Sequence, residues 1–257
     1  MQLGWIDFSK EDRQRALDVI NLLNEQGAVD ELGIGIVRDA FANCFFPGTS
    51  TVQTRAKYFF IVPYILKDAV DGRYGKDIDR ILTEIDADEK DCAKRLLNSD
   101  SKVEGVIGSR VLPKGWVSRR PSDIYWNGIK RYGIFCDKDF SIQEYISSAV
   151  KIDNQKSAIK SVKYTYDEEE NNDDVDAGDI DSIKFWSLPS YGNDWRDNLT
   201  IALTKEESEY LNRQIQKETR GSLLEYILKN KIVLDEYDSF ESLRYALSDK
   251  VDNETAD

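Results

Sequence analysis

The chain has no histidine in 257 residues. Without an imidazole, Ser-His-Asp and Cys-His nucleophiles, His-Lys-Asp phosphodiesterases, His-Asn-His nucleases, zincins and two-His-one-carboxylate iron sites are all excluded. Carboxylate, lysine, tyrosine, thiol and backbone chemistry remain. Cysteine is scarce as well: Cys44, Cys92 and Cys136 are widely spaced, with no Cys-x-x-Cys pair and no even count, so neither a disulfide framework nor a thiolate metal site is indicated. A reducing, cytoplasmic setting is expected. Long apolar runs are absent too. The longest, Tyr58 to Leu66, is interrupted by Pro63, and the first residues reach charge before an export signal could form. Neither membrane spanning nor secretion is expected. No Glu-x-Lys occurs, which removes the usual carboxylate and lysine pattern of restriction-type nucleases.

Charge is abundant but segregated. The net charge is -13. Nine of those negative charges lie between Asp167 and Asp181, a stretch with no basic residue that reads as a solvated loop or linker. Its spacing misses the oxygen positions of a calcium-binding loop. Between Arg110 and Arg131, by contrast, Arg110, Lys114, Arg119, Arg120, Lys130 and Arg131 face only one acid, Asp123.

Apolar spacing of three and four predicts helices over 10–26, from Ile34 to Phe41, over 51–70 with a kink at Pro63, and over 77–85 and 87–97. A weak strand is expected over 103–112, then a helix with Pro121 in its first turn that Gly133 ends, and another over 141–150. Beyond the acidic stretch, Thr204 and Glu207 form a capping box for a helix over 205–218, followed by helices over 222–229 and 240–247. The expected class is mainly α with minor β: a multi-helix globular domain with a helix-turn-helix or winged-helix-like part. Expected boundaries are a helical domain over 1–152, an acidic linker over 153–184 and a small helical region over 185–257.

Two segments stand out as candidate sites. Gly48, Thr49 and Ser50 lead into a helix expected to carry Arg55 and Lys57, so free amides and two cations could hold a phosphate. The same residues also fit a plain turn and cap. The second candidate is Arg110, Lys114, Arg119, Arg120, Lys130 and Arg131. Its arginines open a helix, where the dipole disfavours cations unless an anion is present. Pairing with the acidic stretch is the internal alternative. The Leu32-Gly33-Ile34-Gly35 run lacks the third glycine and the preceding strand of a dinucleotide site. Asp86, Asp88, Glu89 and Asp91 spread around more than one helix face, so no metal site is assigned there, and no catalytic residue or cofactor is assigned either.

The segments Leu3 to Ser9, Asp39 to Ser50, Gln53 to Phe59, Val62-Pro63-Tyr64 and Arg120 to Trp126 resemble an uncharacterised prokaryotic family, domain of unknown function 6361, up to about Ile215. Members are generally longer, so the resemblance implies a short form or a fragment. It carries no established catalytic residue, and it suggests a setting near mobile-element or phage-defence genes. The expected function is a non-catalytic binding or adaptor protein that meets nucleic acid or another protein of the same operon. A carboxylate- and metal-dependent phosphate-ester enzyme and a structural assembly subunit are the alternatives.

Overall fold

The computed structural model describes residues 34–99, 103–166, 184–239 and 241–245. The helix expected over 10–26 and the acidic stretch 167–181 lie outside these residues. The described chain is mainly helical, and no described helix is long and apolar enough to cross a membrane. Met1–Phe45 and Phe46–Asp257 are two compact units. The first contributes α1 (Ile34–Phe45), whose Phe41 and Phe45 rings stack. The expected boundaries at 152 and 185 fall inside the second unit.

That second unit is organised around α2 (Tyr58–Asp68), where every residue from Tyr58 to Leu66 is buried. A helix apolar on all faces can satisfy itself only at the centre of a domain. It runs through Pro63 and gives way to a π-type turn, Ala69–Arg73, where Asp71 and Gly72 leave helical geometry and Gly72 takes φ +93°. The helix expected from residue 51 therefore begins seven residues later. The reason is tertiary: the Thr54 and Arg55 amides both donate to the Tyr125 hydroxyl, at 2.8 and 3.0 Å, which holds this stretch in a turn.

The two helices expected over 77–97 are one, α3 (Ile78–Ser99). No glycine or proline interrupts it, and Ile81, Ile85, Glu89, Cys92 and Leu96 form a single buried stripe. The separation on which a helix-turn-helix part rested is thus missing at that point. Residues 103–120 form successive turns rather than a strand, with Gly105 and Gly108 at positive φ. Among the described residues, β structure is limited to the bridge between Phe135 and Trp186.

Then come α4 (Pro121–Arg131), α5 (Ile142–Tyr166), α6 (Lys205–Glu218) and α7 (Leu223–Lys229). The capping box is present: Glu207 N donates to Thr204 Oγ1 and Thr204 N donates to Glu207. One core runs from α2 through Ile81, Tyr125, Ile129, Phe135 and Ile146 to Trp195, Leu199 and Leu211. The residues after the acidic stretch therefore pack with those before it.

Candidate functional site

Helix α4 positions the basic candidate. Its buried face is Pro121, Ser122, Tyr125, Trp126, Gly128 and Ile129, which leaves Asp123, Asn127 and Arg131 exposed in steps of four. The start of the helix is held by α3, where Glu89 Oε1 accepts from Ser122 N at 2.7 Å. Burial pushes the Glu89 carboxyl up to about 8; the Ser122 hydrogen bonds and Arg120 oppose the rise. Its Oε2 is buried with no hydrogen-bond partner among the described residues.

The loop before α4 is anchored at several points. Val106 and Ile107 are buried, and Ile107 N donates to the Tyr58 hydroxyl at 2.9 Å. Trp116 Nε1 donates to Asp86 at 3.1 Å, while Trp116 covers Gly108 so closely that a Cβ there would meet the ring at 2.4 Å. Thr54 Oγ1 donates to the Gly105 carbonyl and Arg55 Nε to that of Glu104. On this fixed loop Arg110, Lys114 and Arg119 are exposed, and none has an ion pair or side-chain hydrogen bond among the described residues. Arg120 differs, since its Nε lies 3.2 Å from Asp123. Lys130 and Arg131 sit at the other end of the eleven-residue helix, about 16 Å away. The basic segment is thus divided into a loop group of three, a paired Arg120 and a distal pair.

The phosphate candidate is arranged differently from its expectation. Thr49 donates both its amide and its hydroxyl to the Phe46 carbonyl, Ser50 N donates to Gln53, and Gln53 in turn donates to the Gly48 carbonyl. Lys57 is buried, with Nζ 2.7 and 2.6 Å from the two Glu207 oxygens. A buried ammonium demands a carboxylate, and this one comes from far along the chain. Gly48, Thr49, Ser50, Arg55 and Lys57 therefore do not converge on an open helix start. Instead Gly48, at φ +81°, lies against Arg131 and Tyr132, so the turn adjoins the distal basic pair.

Residues 1–156 match a family described only as a family of unknown function, DUF6361. The chain belongs to that family. No curated protein and no solved structure matches it. The family region covers the anchored loop, α4 and the first part of α5. Glu207 and Arg196, which pair with Lys57 and with Asp68 and Asp88, lie beyond it. Both partners escaped sequence reasoning because nothing local marks a remote pair. Glu89 left a signal: an acid standing on an apolar stripe.

Among the described residues no group of three or more acids and cysteines could hold a metal ion. Cys92 is buried and its thiol is pushed up to about 12 by burial, which keeps it protonated and poorly nucleophilic.

Proposed function

We propose that this protein is a non-catalytic binding or adaptor protein that takes hold of a nucleic-acid backbone, acting in the cytoplasm with products of its own operon, in keeping with a role in bacterial defence. The observation that supports this reading is the anchored loop 103–120. It presents Arg110, Lys114 and Arg119 to solvent without carboxylate partners among the described residues. Cations held on a rigid element lose little conformational entropy on meeting phosphates, and the counterions they release drive association. Phosphate-ester hydrolysis is the less favoured reading, because Lys57, one of its two phosphate-gripping cations, is committed to Glu207.

Fluorescence anisotropy of labelled single- and double-stranded DNA and RNA over a salt series tests the proposal. The triple variant Arg110→Glu, Lys114→Glu, Arg119→Glu should bind at least about tenfold more weakly and lower the slope of log K against log salt by about 3, one unit for each lost phosphate contact. Arg120 is left intact to preserve its pairing with Asp123. Equal binding by the variant, or no binding by the parent protein at low salt, would reject the reading.

A further inference from the structure

A cleft of about 570 Å³ opens between the π-type turn after α2, the middle of α5 and the segment 184–186. It lies apart from the loop 103–120 and shares no residue with it. Its floor is aromatic and held rigid. Trp186 Nε1 donates to the Tyr145 hydroxyl at 2.9 Å, and Phe185 lies parallel to Phe135 with Tyr145 against its edge. The strand-like segment itself is pinned on both sides of Trp186, by Cys136 N to the Phe185 carbonyl at 2.8 Å and Ser187 N to the Ile134 carbonyl at 2.9 Å. Lys67, Lys156 and Lys184 stand on the wall. Lys67 Nζ rests over the Tyr191 ring at 5.1 Å and has no ion pair among the described residues. The acids of the wall are Asp153, which is already matched by Lys76 at 2.8 Å, and Asp71. Asp71 is carried by the break in the helix, where π-type irregularities often serve binding.

An aromatic floor, three lysine ammonium groups and two carboxylates, of which Asp153 is paired with Lys76, in a cavity of ligand size, define a narrow chemistry. We infer that this cleft binds a nucleoside monophosphate, with its base against Phe185 and Trp186, its sugar hydroxyls donating to Asp71 and its phosphate on Lys67 and Lys184. A flat ring gains from stacking on a preorganised aromatic surface. The phosphate needs cations that no carboxylate has already neutralised. An anion without a ring, or a purely apolar ligand, would use only half of this wall.

Isothermal titration of the full chain with AMP, GMP, CMP and UMP, alongside adenosine and inorganic phosphate, tests the assignment. At least one nucleotide should bind with unit stoichiometry and at least tenfold more tightly than either adenosine or phosphate. Lys184 is exposed, so Lys184→Glu should leave the circular dichroism unchanged and weaken that nucleotide at least tenfold. The triple loop variant should bind it as the parent protein does, which separates this site from the nucleic-acid surface. Absence of saturation for all four nucleotides by about 1 mM, the weak end of specific binding, would overturn the assignment. Undiminished binding in Lys184→Glu and Lys67→Glu would overturn it equally.

Discussion

Lys57 and Glu207 each show only 8% of their side-chain surface, so neither charge can fall back on water if the other is lost. Removing one partner of a buried pair costs about 3–5 kcal/mol, whereas removing both costs far less. Lys57→Met should therefore lower stability to urea by about 3 kcal/mol, and Lys57→Met with Glu207→Gln by clearly less than the two single changes combined. A strictly additive double variant would show that the pair is not coupled. Glu89 offers a proton-linked test. Its carboxyl sits near 8 in the folded protein against 4.5 when exposed, because burial outweighs the Ser122 amide and Arg120, with Asp123 adding to the rise. Between those values the folded protein keeps a proton that the unfolded chain has lost, so stability falls as pH rises through this window and levels off above it. Glu89→Gln should melt close to the parent protein at pH 5 and about 5 °C or more above it at pH 9, as followed by circular dichroism. Equal melting shifts at both pH values would contradict a carboxyl held protonated. Nothing in the sequence marked the role of Lys57, and only its place on an apolar stripe marked that of Glu89. Lys57 looked like a phosphate cation because it follows a turn, and Glu89 looked like one more surface acid among Asp86, Asp88 and Asp91.

Elements were more legible than their ends. The capping box of α6, the proline that opens α4 and the all-apolar α2 follow from short-range chemistry, and the structure has each of them. The start of α2 did not follow, because a tyrosine some 70 residues away captures the amides that would have extended it. The continuity of α3 was hidden by its run of acids, which reads as a helix start although no residue there breaks a helix. Close packing at the element scale also reverses a familiar expectation. Glycine to alanine inside a helix normally stabilises by about 1 kcal/mol. At Gly128 a Cβ would stand 2.5 Å from the Gly48 carbonyl oxygen and 2.8 Å from the Phe59 ring. The Gly48 backbone is held by Gln53 and cannot easily retreat. Gly128→Ala should thus destabilise by about 2 kcal/mol or more in urea unfolding, while Asn127→Ala on the exposed stripe of the same helix should be neutral or slightly stabilising. A stabilising Gly128→Ala would mean that the turn yields, and that Gly48 and Arg131 are not fixed against each other.

At the scale of the whole molecule, the charge distribution sets the terms on which any polyanion approaches. Nine of the thirteen net negative charges belong to residues 167–181, and they repel a nucleic-acid backbone at a distance whatever their exact position. The loop cations attract it at contact. These two influences differ in range, so salt separates them. At about 50 mM salt the screening length exceeds 10 Å and the acidic stretch is felt across the surface, whereas at about 200 mM it has shortened to roughly 7 Å and the long-range repulsion is largely lost. Deleting Asp167 to Asp181 should therefore tighten binding of labelled DNA or RNA several-fold at the lower salt, with the gain shrinking toward the parent affinity at the higher one. Such a pattern is expected of a repulsive field acting on an intact binding surface. A gain that persists undiminished at high salt would instead point to direct contacts between the acidic stretch and the loop cations, released by the deletion. Unchanged affinity at both salts would show that these charges play no part in controlling access to Arg110, Lys114 and Arg119.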